Sequence, residues 1–313
     1  MMTTQPNYIV DLHSHTTRSD GGDTPQEFIS NAATLGMKVI VFTDHDVLPP
    51  DQIEVNGVMV DPVLYARKKG MKLIPGIEFS CETQVEDVHI VVLGCDYSNP
   101  KIIEMYQKIV KSKIFSYQKL LDILADNGYD ITWDEVLNYD DIPRKAEDVQ
   151  KKIIFNLMAE KGYTKTWSEA KLLIRNNPDC SVKREKPDPV DIINIAHESG
   201  GIAILAHPYL IDETVTTNEG AMTRADYIDK LIDLGLDGIE ACYTYDKTTY
   251  NGPYTKAEII AKIKADYQDR VKIISGGSDY HADYKKTDKN VRNIGECGVT
   301  LEYFNSNELL RNL

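Results

Sequence analysis

Tyr8-Ile9-Val10-Asp11-Leu12-His13-Ser14-His15 passes directly from an apolar run into a His-x-His pair. In an extended segment, residues i and i+2 lie on the same face, so His13 and His15 can bind one metal ion together. Asp20 follows in the glycine-rich turn Ser19-Asp20-Gly21-Gly22, from which its carboxylate can reach a second ion. This stretch therefore predicts a strand whose C-terminal end carries metal ligands.

The same arrangement of an apolar run with a polar motif recurs along the chain. Six of the seven histidines occur in such motifs, and each motif carries or neighbours a carboxylate. Histidine and carboxylate side chains gathered at strand ends are suitable ligands for a cluster of divalent metal ions. The seventh histidine, His197, falls within a predicted helix and is expected to be a surface residue. The later motifs are Thr43-Asp44-His45-Asp46, Gly76-Ile77-Glu78, His89, Ala206-His207-Pro208 and Gly277-Ser278-Asp279-Tyr280-His281.

Helical stretches separate the apolar runs and predict an α/β fold. Thr24 is a predicted N-cap, Pro25 the first helical residue and Gly36 a stop signal. Strands that alternate with helices predict a parallel sheet built from right-handed βαβ units. About seven strands are expected, and ligands at the ends of six of them favour a closed barrel over an open sheet, because closure brings distant strands around one axis.

Residues 100–188 interrupt this alternation and read as a helical insertion. Helices are predicted at Trp133–Leu137, Val149–Lys161 and Trp167–Ile174, and no β-branched run of strand length occurs in this region. We therefore expect residues 1–99 and 189–313 to form the catalytic barrel. Residues 100–188 are expected to form a cap on the substrate side.

Composition excludes some classes of function. The net charge of −14 argues against extended binding to nucleic acid, although it leaves a small phosphorylated substrate open. Five cysteines without C-x-x-C spacing favour a reducing compartment. The N-terminus shows no signal-peptide pattern, and no apolar run approaches the length of a membrane span. A cytoplasmic protein without membrane contacts is expected, and its oligomeric state stays open.

The ordered motifs from Asp11-Leu12-His13-Ser14-His15-Thr16 to Asp279-Tyr280-His281 resemble the PHP (polymerase and histidinol phosphatase) family over nearly the whole chain. The resemblance implies a distorted (β/α)7 barrel with a centre of two or three manganese, iron or zinc ions. Carried over by position, it implies one ion held by His13, His15, Glu78 and Asp279. A second ion would be held by Asp20, His45 and His281, and a third by Glu78, His89 and His207.

The insertion further resembles that of the stand-alone phosphoesterases in the family, which act on nucleoside 3′,5′-bisphosphates, nucleotides and short RNA 5′ ends. Chain length without appended domains also favours this branch over the polymerase-associated one. In that branch the insertion usually carries a Gly-Arg-Pro-His segment that helps to bind substrate. Gln150-Lys151-Lys152-Ile153 occupies the corresponding positions. Lys151 retains a cation there, whereas Ile153 replaces the histidine.

The leading hypothesis is hydrolysis of phosphate esters of small molecules by a metal-activated hydroxide. Nucleoside 3′,5′-bisphosphates and monophosphates are the expected substrates. The predicted catalytic residues are Asp279, His207, Asp44 and Asp46, and the predicted substrate contacts are Arg18, Lys151 and Arg144. The alternatives are a 5′-3′ exoribonuclease on short RNA, a histidinol-phosphate phosphatase, an amidohydrolase-type C–N hydrolase and a non-catalytic metal-binding module.

Overall fold

The computed structural model describes residues 5–141, 143–180, 182–248, 250–285 and 290–313. Residues 1–4, part of the N-terminal stretch predicted to lack a signal peptide, lie outside this description. The chain divides into two compact units. One contains the chain up to Glu104 together with Pro187–Leu313, and the other contains Met105–Lys186. Among the described residues, no helix combines the length and the apolar character needed to span a bilayer.

The strands form one six-stranded sheet and two separate hairpins. The strands are β1 (Val39–Phe42), β2 (Ile53–Val55), β3 (Val58–Val60), β4 (Lys72–Ser80), β5 (His89–Leu93), β6 (Ile202–Leu205), β7 (Thr214–Thr217), β8 (Gly220–Thr223), β9 (Gly238–Cys242) and β10 (Ile273–Gly276). The order in the large sheet is β1-β4-β5-β6-β9-β10, and β2-β3 and β7-β8 are antiparallel hairpins.

The helices are distributed over both units. The first unit contains α1 (Pro25–Thr34), α2 (Pro62–Lys68), α7 (Pro189–Glu198), α8 (Arg224–Asp233), α9 (Lys256–Tyr267), α10 (Leu301–Ser306) and α11 (Glu308–Asn312). Helix α3 (Pro100–Asp126) begins in the first unit and ends in the second. The second unit contains α4 (Trp133–Leu137), α5 (Lys151–Glu160) and α6 (Trp167–Asn176).

Local signals in the sequence correctly predicted where several helices begin and end. Thr24 is the N-cap of α1, and its side chain and that of Glu27 form a capping box that satisfies exposed backbone N–H groups. Helix α4 has the predicted bounds, and α5 and α6 begin and end within about two residues of prediction. The buried face of these insertion helices contributes to a core of their own, which includes Leu120, Ile154 and Met158.

The large sheet differs from the expected all-parallel barrel in the direction of one strand, β5. Strands β1 and β4, β6 and β9, and β9 and β10 pair in parallel, but β5 is antiparallel to both β4 and β6. The expectation of parallel pairing throughout was wrong because β5 follows β4 after a short connection without a crossover helix, and such a connection permits only antiparallel pairing.

The first predicted strand is irregular. Leu12 N donates to the carbonyl of Gly276 at the end of β10, and Asp11 N donates to the carbonyl of Val39 in β1. This segment therefore lies between the two edge strands of the sheet. Its ladder is interrupted because the backbone N–H of His13 donates to the Asp11 side chain instead. The result is an α/β fold with six regular strands in a curled sheet.

Candidate metal centre

The fold brings the histidine and carboxylate motifs to one edge of the sheet. Parallel strands present their C-terminal ends there, and His45, His207 and Asp279 follow β1, β6 and β10. His89 is the first residue of β5 and pairs in register with Ser80, at the end of β4. Because β5 is antiparallel to its neighbours, its first residue lies at the same edge as their last residues.

Glu78 lies at the centre of this cluster and is buried. Five histidine nitrogens lie within 3.2 Å of its two carboxylate oxygens. Oε2 faces Nε2 of His13 and of His15, each at 3.2 Å, and Nδ1 of His45 at 3.1 Å. Oε1 faces Nδ1 of His89 at 2.9 Å and Nε2 of His207 at 3.0 Å. One carboxylate is thus shared by every histidine of the cluster except His281.

Asp279 and Asp20 extend the cluster on the other side of His15. Oδ1 of Asp279 lies 3.0 Å from Nε2 of His15 and 3.4 Å from Nδ1 of His281. Oδ1 of Asp20 lies 3.0 Å from Nε2 of His281. Asp20 is the exposed member of the cluster, with 47% of its side chain accessible, so the centre opens to solvent on this side.

The structure brings eight of the nine residues predicted as metal ligands into three overlapping groups, and His207 lies beside them. The first is the set implied by the resemblance, His13, His15, Glu78 and Asp279. The second adds His15 to the implied Asp20, His45 and His281. The third contains Glu78 and His89 with His45, whereas His207 was implied. His207 is nevertheless in contact with Glu78.

Several polar atoms in the cluster are buried without a hydrogen-bond partner among the described residues. They are Nδ1 of His207 and four atoms that face one another: Nε2 of His13, Nε2 of His15, Nδ1 of His45 and Oε2 of Glu78. Buried polar atoms are almost always paired in folded proteins, so four convergent exceptions indicate a missing partner. Imidazole nitrogens and a carboxylate oxygen turned towards one another are a suitable donor set for divalent metal ions.

The charges of the cluster are mutually dependent. Burial alone would raise the pKa of Glu78, but His13, His45 and His89 hold it well below its usual value. Burial would also lower the pKa of His13, but the carboxylates of Glu78, Glu240 and Asp279 raise it well above its usual value. Since metal ligands must be deprotonated, a metal ion bound here would displace protons from these histidines.

Comparison with known families agrees with this geometry. The model of the PHP domain family matches residues 11–176, more than half of the chain. The chain belongs to the PHP family. It is accordingly a metal-dependent phosphoric ester hydrolase, and the amidohydrolase and non-catalytic alternatives lose their support.

Several curated proteins are similar to this PHP domain protein. Phosphoribosyl 1,2-cyclic phosphate 1,2-diphosphodiesterase from Eggerthella lenta is 25% identical over 280 residues, which span 88% of this chain and 95% of that protein. 3′,5′-Nucleoside bisphosphate phosphatase from Chromobacterium violaceum is 25% identical over a match that spans 64% of this chain and 66% of that protein. A 5′-3′ exoribonuclease from Haemophilus influenzae is 28% identical, with coverage of 63% and 68%.

Solved structures share the fold. A candidate metal-dependent phosphoesterase from Bifidobacterium adolescentis superposes with a TM-score of 0.69 over 97% of this chain and 96% of its own, at 22% identity. A protein from Chromobacterium violaceum described as an amidohydrolase superposes with a TM-score of 0.67 over 91% and 90%, at 23% identity. At these identities, the likeness supports the PHP fold alone.

Glu240 is a residue of the PHP centre that the sequence reasoning missed. Its Oε1 lies 3.2 Å from Nδ1 of His13, and its Oε2 accepts the backbone N–H of His207 at 2.9 Å. It is buried in β9. A carboxylate that binds the outer nitrogen of a metal-ligand histidine fixes the orientation of the ring. The available signal was an acidic residue inside the otherwise apolar strand Gly238–Cys242.

Arg292 and Tyr243 were also missed, and both contact Asp279. Nη1 of Arg292 donates to Oδ2 of Asp279 at 2.6 Å, and the Tyr243 hydroxyl donates to the same oxygen at 2.8 Å. Nε of Arg292 also donates to Asp283 at 2.9 Å. Burial alone would raise the pKa of Asp279, but His281, Arg292 and His13 hold it well below its usual range. No periodic pattern surrounds Arg292, so the sequence offered no signal for it.

Asp44 and Asp46, predicted to manage protons, make positioning contacts. The Asp44 carboxylate accepts the backbone N–H and the hydroxyl of Thr16, both at 2.8 Å, and the hydroxyl of Ser19 at 2.7 Å. It thereby ties the loop that carries Asp20 to the end of β1. Asp46 accepts the backbone N–H of Ser80 at 3.0 Å. Their role in proton transfer stays a prediction.

The backbone is strained at three positions of this edge. Asp46, His207 and Asp279 have φ values of 53°, 29° and 50°, in the left-handed region that non-glycine residues seldom adopt. Such conformations cluster at functional sites, where surrounding contacts hold them in place. For His207 and Asp279, those contacts include Glu240 and Arg292 respectively.

The three predicted substrate contacts lie in different places. Arg18 follows His15 and donates through Nη2 to the carbonyl of Leu48 at 3.1 Å. Lys151 and Arg144 lie in the helical unit; Lys151 is half-buried there, and burial lowers its pKa. Arg144 lies over the ring of Tyr139 at 5.6 Å. All three stay predictions as substrate contacts.

His197 has a partner that the sequence did not reveal. Its Nε2 lies 2.7 Å from Oδ2 of Asp237, which is buried immediately before β9. The His197 side chain is 37% exposed, in keeping with the expected surface position. This pair lies outside the three metal-ligand groups and makes His197 a suitable control position.

Proposed function

We propose that the chain hydrolyses phosphate esters of small nucleotide-like molecules, with two or three divalent ions of manganese, iron or zinc as cofactors. The observation that carries the proposal is the position of Glu78, whose two oxygens are shared among five histidines. A carboxylate shared in this way supports neighbouring ions. Neighbouring ions suit displacement at phosphorus, since they stabilise the oxygens of the attacking and leaving groups.

In this proposal, His13, His15, Glu78 and Asp279 hold the first ion. Asp20, His45 and His281 hold the second, and Glu78 and His89, with His207 or His45, hold the third. When bound, such ions lower the pKa of a coordinated water and neutralise phosphoryl oxygens. The chain itself orients these ligands through Glu240 and Arg292.

Arg18 is the strongest candidate for contact with the substrate. Its Nε is buried without a hydrogen-bond partner among the described residues, while Nη2 is already bound to Leu48. A guanidinium with an unmet donor, in the loop between His15 and Asp20, suits an oxygen of a phosphate group. Lys151 and Arg144, which lie in the helical unit, are proposed as further contacts.

Two substrate classes are proposed. Nucleoside 3′,5′-bisphosphates and monophosphates follow from the resemblance of the insertion. Against them, Ile153, at the position of the family histidine, is buried in the core of the helical unit. The second class is cyclic phosphate diesters of ribose phosphates, which is favoured by the match over 95% of the Eggerthella lenta protein. Short RNA 5′ ends are the third arm of the test. We place the activity in the cytoplasm, in keeping with the cysteine pattern.

The proposal is tested by a substrate panel on the manganese-loaded protein. Each ester is incubated with wild type, Glu78→Gln and His197→Asn, and the products are measured by mass spectrometry. Turnover of one phosphate ester by wild type and His197→Asn, with a loss of at least about 100-fold in Glu78→Gln, supports the proposal. Equal turnover by Glu78→Gln, or cleavage confined to amide controls, would overturn it.

A further inference from the structure

A cavity of about 530 Å³ lies in the first unit, apart from the metal-ligand groups. Helix α9 contributes Ile260 and Lys264 to its lining, strand β9 contributes Cys242, and Tyr8 and Tyr303 complete the named wall. This volume is within the range of small-molecule sites and is ample for a solute the size of a peroxide. Cys242 is thus a sulfur nucleophile at a cavity that phosphate-ester hydrolysis does not use.

Cys242 has a second thiol beside it. Cys297 directly precedes Gly298, whose carbonyl lies beside Gly276, the ladder partner of Cys242, and both cysteines are thiols in the structure. The two thiols interact electrostatically. Gly276 makes this approach possible. Cys242 pairs with Gly276 where the ladder between β9 and β10 becomes irregular. A Cβ at Gly276 would lie 2.8 Å from Cβ of Cys242 and 2.6 Å from the carbonyl of Gly298, so any side chain there would force the two segments apart.

The surroundings favour the thiolate at Cys242 over that at Cys297. The hydrogen bond from Cys297 lowers the pKa of Cys242 to about 6. Burial alone would raise this pKa, but hydrogen bonds with Gly298 and Tyr8 also lower it. The same hydrogen bond, together with burial, raises the pKa of Cys297. Access points the same way, because Cys242 is 8% exposed and Cys297 is 0% exposed. Thiolates are the nucleophilic form of cysteine, so the first reaction is expected at Cys242.

We propose that Cys242 and Cys297 form an oxidation-sensitive pair, with Cys242 as the thiol attacked by hydrogen peroxide and Cys297 as the resolving thiol. The Cys242 thiolate attacks one peroxide oxygen, the O–O bond breaks and hydroxide leaves, which is protonated to water. The product is a sulfenic acid at Cys242. The Cys297 sulfur then attacks the Cys242 sulfur, and the S–O bond breaks with loss of a second water. Both cysteines are oxidised to one disulfide while one peroxide is reduced to two waters.

The test uses the full metal-loaded protein with hydrogen peroxide in slight excess. Remaining thiols are blocked with N-ethylmaleimide, and the digested protein is analysed by mass spectrometry. We expect one cross-linked peptide pair that contains Cys242 and Cys297, in wild type and in the control Cys180→Ser. In Cys297→Ser, the reaction is expected to stop at a sulfenic acid on Cys242 that dimedone traps.

A rate measurement provides a second readout without a variant. At neutral pH, iodoacetamide should alkylate Cys242 at least about tenfold faster than Cys95, where burial raises the pKa to about 12. Oxidised wild type without a link between Cys242 and Cys297 would overturn the proposal. So would preferential alkylation of Cys95, or a Cys297→Ser protein that is folded by circular dichroism and gives no dimedone adduct at Cys242.

Discussion

Arg292 and Asp279 are joined by a hydrogen bond of 2.6 Å between Nη1 and Oδ2, while the second oxygen of the same carboxylate lies 3.0 Å from Nε2 of His15. One oxygen of Asp279 is therefore held by an arginine and the other faces the metal-ligand cluster. Arg292 is itself fixed by Asp283. An orienting contact of this kind fixes the direction in which a carboxylate presents its free oxygen to a metal ion.

Replacement of Arg292 by lysine should weaken the metal centre. Lysine keeps the charge but cannot donate to Asp279 and Asp283 along two fixed directions. We expect affinity for manganese and kcat/KM to fall roughly 10–100-fold, as is usual for groups that orient metal ligands. The control is Arg270→Lys, because Arg270 forms an exposed pair with Asp229. Manganese binding is measured by isothermal titration. If both variants bound manganese as tightly as wild type, this role of Arg292 would be contradicted.

Glu240→Gln should have an effect of similar size by a different route. An amide can present a donor to the Nδ1 of His13, so the ring would lose the partner that fixes its orientation. We expect the apparent affinity for metal to fall roughly 10–100-fold, and the metal content after dialysis to fall with it. Glu198→Gln is the matched control, since Glu198 pairs with Lys101 at the surface. Metal content is read by mass spectrometry after dialysis, and equal content in both variants would count against Glu240.

Asp44→Asn distinguishes positioning from proton transfer. Because Asp44 receives hydrogen bonds from Thr16 and Ser19, we expect the substitution to loosen the loop that carries Asp20. Turnover should fall by about tenfold or more, while both limbs of the pH–rate profile keep their positions. Thr16→Val should reproduce this behaviour. Loss of one limb in Asp44→Asn alone would instead assign proton transfer to that carboxylate.

Asp237 provides a test of stability that is independent of activity. Burial alone would raise its pKa, but Lys272, the backbone N–H of Ala203 and His197 lower it. The folded state therefore favours the ionised form, and this stabilisation is present above the unfolded pKa of about 3.9 and is lost as the pH falls through the folded pKa.

Asp237→Asn should consequently lower the free energy of unfolding by about 1–3 kcal/mol at pH 7, because a buried acceptor loses its charge. The difference between the variant and wild type should shrink below about pH 4. Urea unfolding followed by circular dichroism at the two pH values measures it. The surface substitution Asp229→Asn should leave stability within about 0.5 kcal/mol. A deficit in Asp237→Asn that is unchanged at low pH would contradict the assigned charge effect.

Local patterns explain what could be predicted from the sequence. The capping box at Thr24 and the ligand motifs after β1, β6 and β10 depend on neighbouring residues, so they could be recognised along the chain. The direction of β5 depends on which strands it meets, and hydrophobic periodicity does not report that direction. For this reason His89 lies at the same edge of the sheet as the other ligand motifs, as predicted, but its strand pairs antiparallel rather than parallel.

The missed residues have a common physical cause. Glu240 and Arg292 contact His13 and Asp279, which are 227 and 13 residues away in sequence. Their importance appears only when the fold closes these distances. Ile153 shows the converse: a position chosen by its spacing in the insertion is a buried core residue. Spacing alone could not separate a substrate contact from a packing residue.

The central claim is that the residues around Glu78 hold divalent ions that hydrolyse phosphate esters. The most direct measurement is the release of phosphate or ester product by protein stripped with a chelator and then titrated with manganese, with bound metal counted in the same samples. We predict no turnover in the stripped protein and recovery in step with two or three bound ions per chain. Glu78→Gln should bind fewer ions and stay inactive. Full turnover by protein that holds less than about a tenth of an ion per chain would contradict the claim.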